Sequence, residues 1–360
     1  MTERTRRFSV AGRRRVPSAL EGAGASQPLR GSGRLAVVNG CRRKDDMTAG
    51  GSPGRRPEDI ESLCERVLDS FNETEDERLR QLLRSLVVHL HAFIKDVGLT
   101  RDEWLHAVNF LTAVGQRCDA ERQECVLLSD VLGASMLVEL LNDAEASDLD
   151  GGVLSPTLPT VLGPFHTTLS PPRGNGSTIS EPGSGRPLLL QAEVRADDGS
   201  PLAGATVDIW QCNAEGFYDV QHPGIQAPGN GRGIFRTDVD GRVECVTVVP
   251  SHYAIPSDGP VGRLLEATGR HPWRPAHIHF TVDADGYVGL TTHLFMPDSP
   301  YLDSDAVFAV SPSLICELVE ERDAALAGRF GLPVPFTRTE AELVLRPTPV
   351  EKRARRTRDK

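Results

Sequence analysis

Apolar positions along this chain recur with two different periods. From about residue 57 to 143 they fall at helical spacing. Ile60, Leu63, Cys64, Val67 and Leu68 form one stripe, and a longer one runs from Leu79 to Val97. Thr74 with Glu77, and Thr100 with Glu103, have the spacing of capping boxes, in which two side chains satisfy the free N–H groups that open a helix. Gly98 can end the first of these helices. The next carries Trp104, Val108, Phe110 and Leu111. A fourth helix is expected from about Ala120 to Asn142. Its Leu137, Leu140 and Leu141 need cover from the next domain or from a second subunit.

A stretch rich in Gly, Pro and Ser, residues 144–187, separates this pattern from the next one. Beyond it apolar and polar residues alternate. Leu188–Arg195, Thr206–Cys212, Ile234–Asp238, Val243–Val249, His277–Val282 and Val288–Phe295 read as strands. Asp198-Gly199, Asp240-Gly241 and Asp285-Gly286 lie between them, and such pairs predict hairpins. Ser313–Ala327 has a helical pattern, and Glu340–Arg346 reads as a last strand. Short, evenly spaced strands point to a β-sandwich. The expected fold is mainly β with an α-helical N-terminal domain: helices over residues 55–145 and a sandwich over 146–350. Residues 1–54, rich in Arg, Gly and Ser without periodicity, read as a disordered basic tail, and 351–360 as a charged one.

Composition narrows the function classes. With 39% hydrophobic and 25% charged residues, the 360-residue chain has the balance of a globular protein. A net charge of −10 weighs against nucleic-acid binding. No apolar run is long enough to cross a bilayer, and no apolar segment follows the early arginines as in a secretory signal, so a cytoplasmic protein is expected. The seven cysteines form no C-x-x-C pair and cannot all pair with one another. Reduced thiols fit better than a disulfide framework or a zinc knuckle.

The candidate chemistry starts at His277-Ile278-His279. Alternate residues of a strand share a face and lie about 7 Å apart, so two imidazoles there can hold one metal ion. Hydrogen-bonded histidines fit the same pattern. Of the four tyrosines, Tyr218 and Tyr253 sit at strand ends. Spacing alone leaves them as packed rings with bonded hydroxyls. Just before the paired histidines come Arg270, Pro272, Arg274 and Pro275. Two prolines and two arginines fit plain sandwich packing poorly, and a fixed arginine beside a metal pair is an electrostatic element.

Four pieces, LGPFH (162–166), GFYDVQ (216–221), GIFRTDVDGRVECVTVVPSHYAIPSDGPVGRLL (233–265) and GRHPWRPAHIHFTVDADGYVGLTTHLF (269–295), resemble the signature region of intradiol ring-cleavage dioxygenases. The resemblance runs from about residue 58 to 347. It implies Fe(3+) bound by Tyr218 and His277 as the equatorial pair and by Tyr253 and His279 as the axial pair. It also implies a catalytic role for Tyr253 as a base that leaves the metal, and for Arg274 as a stabiliser of negative charge. Phenolates are hard anionic donors that favour ferric iron, whereas zinc prefers thiolate, imidazole or carboxylate. Asp219 and Gln221 flank Tyr218 and are candidates for orienting it. The substrate pocket is expected at Val161, Leu162, Gly163, Pro164 and Phe165, with Leu137 or Glu139 added by the fourth helix.

The implied partners are a small aromatic diol or triol and O2, with no nucleic acid or membrane, and a homodimer through the N-terminal helices. Trp273, the THLF of 292–295, and Tyr301 to Phe308 with Val310 resemble the family's hydroxyquinol-cleaving members. This makes 1,2,4-trihydroxybenzene the expected substrate and 3-hydroxy-cis,cis-muconate, the enol form of maleylacetate, the product. Catechol or chlorocatechol cleavage is the alternative. His166 departs from the family's usual tyrosine. A sandwich module that only binds is the reading from another class. A zinc hydrolase ranks behind it for want of a carboxylate or cysteine ligand.

Overall fold

The computed structural model describes residues 57–119, 122–147, 152–221 and 224–348. Both expected tails, 1–54 and 351–360, lie outside those residues. Two compact units are present, one ending at His91 and the other beginning at Ala92. The first holds α1 (Pro57–Asp69) and most of α2 (Glu77–Asp96). The α2 cap is not the expected Thr74–Glu77 box. Asp76 takes that place, accepting the Leu79 N–H at 2.9 Å, because the short acid sits directly before the first helical residue. Along α2, Leu79, Leu82, Leu86, Leu90 and Phe93 are all exposed.

The second unit opens with α3 (Arg101–Gln116), α4 (Glu124–Val131) and α5 (Ala134–Ser147). The Thr100–Glu103 capping box is formed in full. The expected single helix from Ala120 to Asn142 is two helices. Gly133, at φ +71°, turns the chain left-handed between α4 and α5, a conformation that glycine takes without cost. Leu137, Leu140 and Leu141 are exposed in the single chain.

Among the described residues ten strands follow, with two more α-helices. The elements are β1 (Pro187–Ala196), β2 (Thr206–Gln211), β3 (Arg232–Arg236), β4 (Arg242–Val248), β5 (Tyr253–Ala254), α6 (Pro260–Ala267), β6 (Trp273–Arg274), β7 (His277–Asp283), β8 (Leu290–Phe295), β9 (Val319–Glu321), α7 (Ala324–Phe330) and β10 (Phe336–Leu345). One sheet has the order β4-β1-β10-β9 and the other β3-β2-β7-β8, with β5-β6 as a two-residue ribbon. Leu188, Leu190 and Val194 of the first sheet meet Val207, Ile209, Phe235, Ile278, Phe280 and Val282 of the second in one buried core. This is the face-to-face packing of a sandwich.

Two of the three expected hairpins do not form. Asp198-Gly199 and Asp240-Gly241 do make turns, but the strands on either side go to opposite sheets, since β1 and β4 pair with each other while β2 pairs with β3. Asp285-Gly286 does lie between paired strands, β7 and β8. The expected helix at Ser313–Ala327 is largely absent. A short 3-10 turn, Pro312–Leu314, gives way to Cys316 in the core and to edge strand β9; α7 begins only after Asp323, whose carboxylate caps it.

The second sheet positions the site. Ile278, Phe280 and Val282 point into the sandwich core, so His277 and His279 point to the opposite face. A second apolar cluster covers that face, with Val114, Leu127 and Val131 from α3 and α4, Val261 and Leu265 from α6, and Trp210, Tyr218 and Tyr253 beneath them. Burying both faces explains why β7 is enclosed at almost every position.

Candidate metal centre

His277 and His279 are each 1% exposed, with their Nε2 atoms 3.1 Å apart. Burial depresses both pKa values well below the ordinary histidine range, and the Arg274 charge adds to this, so both rings are neutral. His277 Nδ1 lies 2.7 Å from the Pro275 carbonyl oxygen and must donate to it, which leaves a lone pair on Nε2. The Tyr218 hydroxyl is 2.9 Å from His279 Nε2. Tyr253 completes the group: its ring meets Tyr218 edge-on at 5.3 Å and lies 5.5 Å from the His277 ring.

Each phenol is placed by a rigid neighbour. Tyr253 pairs with Arg274 across the β5–β6 ribbon, which sets the guanidinium Nη1 3.4 Å from the phenol oxygen and 3.3 Å from His277 Nε2. Tyr218 follows β2 on a loop. Its backbone N–H donates to Gln221 Oε1 at 2.8 Å, while buried Asp219 accepts from Gly229 N and from Arg232 Nε. Gln221 and Asp219 thus hold the loop rather than touching the phenol. Arg274 is itself fixed by Asp305, which is 4% exposed and also caps the backbone N–H groups of Val307 and Ala309.

A cation fits this group. Two imidazole lone pairs and two phenol oxygens converge in a buried space, and lone pairs 3.1 Å apart repel unless a proton or a metal ion lies between them. Burial pushes both phenols up from their usual pKa, for Tyr218 well above it, so a cation is needed to hold them as phenolates. Two anionic oxygens with two imidazoles are a hard donor set suited to a trivalent ion.

A third ring joins the histidines. His277, His279 and His293 all offer nitrogens within 4.8 Å of one another. His293 Nε2, however, is 2.8 Å from His279 Nδ1, the nitrogen on the side away from Tyr218. The three histidines therefore do not share a centre with the phenols; His293 backs His279. Across the sheet, Trp210, His279 and His293 stand at paired positions of β2, β7 and β8. Trp210 stacks on His279 at 4.6 Å and 10°.

Of the expected pocket segment, Gly163 and Phe165 lie at the site. A Cβ on Gly163 would stand 3.0 Å from His279 Cε1, and Phe165 stacks on Tyr218 at 4.7 Å. Val161 is buried in the same cluster, Pro164 is partly buried and Leu162 is largely exposed. Leu137 is exposed, and Glu139 lines a separate cleft with Asn142, Pro156 and Arg346. A cleft of about 890 Å³ among Leu202, Arg236, Asp283 and Tyr287 contains none of the metal candidates. His166 bonds Asp208 at 3.2 Å and meets Trp210 edge-on. Trp273 and Tyr301 stack together at 5.9 Å.

Sequence reasoning missed three buried residues: His293, Asp305 and Asp130. Asp130, on α4, is 3% exposed, with its Oδ1 unpartnered among the described residues. Burial raises its pKa, and the charges of Arg274 and Asp305 both reach it.

The chain resembles known proteins over most of its length. The family model described as "Dioxygenase" matches residues 163–347, and that described as "Catechol dioxygenase N terminus" matches 76–149. A 6-chlorohydroxyquinol 1,2-dioxygenase from Cupriavidus pinatubonensis is 45% identical over 74% of this chain and 93% of its own. A hydroxyquinol 1,2-dioxygenase from a Rhizobium species is 43% identical over 79% of this chain and 94% of its own. The solved structure of hydroxyquinol 1,2-dioxygenase from Pseudomonas putida DLL-E4 superposes with a TM-score of 0.73 at 42% identity, covering 81% of this chain and all of that one.

Proposed function

The chain belongs to the intradiol ring-cleavage dioxygenase family, and from that premise we propose that it opens hydroxyquinol between its two adjacent hydroxylated carbons, using O2 and ferric iron, to give 3-hydroxy-cis,cis-muconate. The observation that carries this reading is the convergence of Tyr218, Tyr253, His277 and His279 in one buried group with Arg274 beside it. The choice of hydroxyquinol rests on relatives named hydroxyquinol 1,2-dioxygenase at 38–43% identity and on the 6-chlorohydroxyquinol enzyme at 45%. A catechol or chlorocatechol substrate is the competing reading, carried by more distant structural relatives such as catechol 1,2-dioxygenase from Acinetobacter radioresistens at 27% identity.

Tyr218, Tyr253, His277 and His279 are the iron ligands in this reading. Ferric iron held by these residues would supply Lewis-acid chemistry to the substrate. Tyr253, on a two-residue strand, takes a substrate hydroxyl proton as a general base. Arg274 already faces Tyr253 and His277, and its fixed guanidinium stabilises negative charge as it builds on the substrate. Phe165 packs on the Tyr218 ring and Gly163 lies beside His279, which limits how far either ring can shift. Asp130 is the proposed acceptor for the third hydroxyl: its buried Oδ1 has no hydrogen-bond partner among the described residues, and the Arg274 charge reaches it.

The exposed apolar residues of α2 and of α5 support a homodimer through these helices. Among the described residues no helix is long and apolar enough to cross a membrane. The deciding measurement is oxygen uptake by the purified protein with hydroxyquinol, catechol and 4-chlorocatechol side by side. The reading requires the highest kcat/KM with hydroxyquinol, and a strong preference for catechol overturns the substrate assignment.

A further inference from the structure

Thr160 stands one ring away from the metal candidates. It is 2% exposed, and its backbone N–H donates to the Thr291 carbonyl at 2.8 Å. Its Oγ1 lies 2.9 Å from His293 Nδ1, and His293 Nε2 lies 2.8 Å from His279 Nδ1. Hydroxyl, ring and ring thus form one line from the loop before the pocket segment to a candidate ligand.

We propose that Thr160 and His293 are positioning residues that fix which nitrogen of His279 faces the metal. The proposal rests on the reading that His279 binds iron through Nε2. That reading leaves the His279 ring proton on Nδ1, where it needs an acceptor. His293 Nε2 is that acceptor. His293 is 1% exposed, with Nε2 facing His279 and Nδ1 facing the Thr160 hydroxyl. If Nε2 accepts, the proton sits on Nδ1 and needs an acceptor of its own, which is the Thr160 hydroxyl oxygen. Each hydrogen bond therefore dictates the direction of the next.

With no acceptor at residue 160, the His293 proton is left unpaired in a buried site, and the ring gains by moving it to Nε2. There it meets the His279 Nδ1–H, donor against donor. His279 then tilts, or gives up the Nε2 lone pair. The ring has little room to tilt, since Trp210 stacks on it and Gly163 lies against its Cε1. Partners of this kind around metal-binding histidines are typically worth about 10- to 100-fold in metal affinity.

The test compares full-length Thr160→Val, Thr160→Ser, His293→Leu and His293→Gln with wild type. Measured for each are iron per chain, the rate of iron loss to a ferric chelator, the position of the visible phenolate-to-iron band, and the melting temperature. Thr160→Val and His293→Leu are expected to lose iron about 10- to 100-fold faster and to shift the band. Thr160→Ser keeps the hydroxyl, and His293→Gln keeps an acceptor towards His279 and a donor towards Thr160, so both should hold iron nearly as wild type does. If Thr160→Val fails to fold, the His293 pair carries the comparison. Wild-type loss rates and band in both Thr160→Val and His293→Leu overturn the relay while leaving the metal reading intact. A wild-type protein loaded with ferric ion that shows no such band overturns the metal reading, and the relay with it.

Discussion

Asp305 grips Arg274 with both carboxylate oxygens: Oδ1 accepts Nε at 3.0 Å and Oδ2 faces Nη2 at 3.3 Å, so that Nη1 alone is left for Tyr253 and His277. Both partners are 1% exposed at their side chains. Asp305→Ala leaves a buried cation unpaired, which costs about 3–5 kcal/mol of stability. Asp305→Asn retains the shape and one acceptor and should lose less. For Arg274→Ala the expectation is a fall in kcat of about 10²–10³, as for other fixed donors to developing charge, with a smaller change in KM. Steady-state kinetics with thermal melts separate the two effects.

Tyr218→Phe removes one oxygen and keeps the ring that stacks on Phe165. The fold should survive while iron binding and the visible band are lost. Metal analysis and an absorption spectrum of the same sample check this, and a melting temperature close to that of iron-free wild type confirms that only the ligand was removed.

Stripping iron with a chelator should lower the melting temperature, because a ligand that binds only the folded chain stabilises it by mass action. Adding ferric ion back should restore both the temperature and the colour. Zinc should restore stability less well, given two phenolates and no thiolate in the donor set.

Gly163→Ala tests the close approach to His279. The residue sits at φ +80°, where an L side chain is strained by about 1–2 kcal/mol, and the new Cβ presses on the His279 ring at 3.0 Å. Lower stability together with a shifted visible band is expected. A change in stability alone means that the ring did not move.

Asp130→Leu should lower kcat/KM for hydroxyquinol roughly 10- to 100-fold, the worth of a hydrogen bond to a charged group of about 1.5–3 kcal/mol. Catechol, which lacks the third hydroxyl, should be affected less. Equal losses on the two substrates remove Asp130 from substrate recognition.

The succession of helices and then strands was legible because hydrophobic period is a strong signal: 3.6 residues before the linker, two after it. The hairpins at Asp198-Gly199 and Asp240-Gly241 were not, because a turn reports local geometry and not the sheet to which the next strand goes. Helix Ser313–Ala327 failed for a related reason. A short apolar run ahead of Asp323 carries both periods, and burial of Cys316 beside the β8 end settled it as extended chain. His277 and His279 were readable from the i, i+2 rule. His293 was not. A tight two-residue turn at Asp285-Gly286 pairs His279 with Thr292; the wider loop from Ala284 to Gly289 slips the register by one and brings His293 opposite instead. Asp305 and Asp130 bear on Arg274 only through tertiary packing, and no spacing in the chain marks them.

The floor of the centre and its roof differ in stiffness. Both imidazoles rise from a strand hydrogen-bonded on each side, whereas one phenol hangs from a loop and the other from a ribbon two residues long. In the proposed reading, any rearrangement that admits a guest molecule would therefore fall on the two tyrosines, with the two histidines serving as an anvil that keeps its place beneath them.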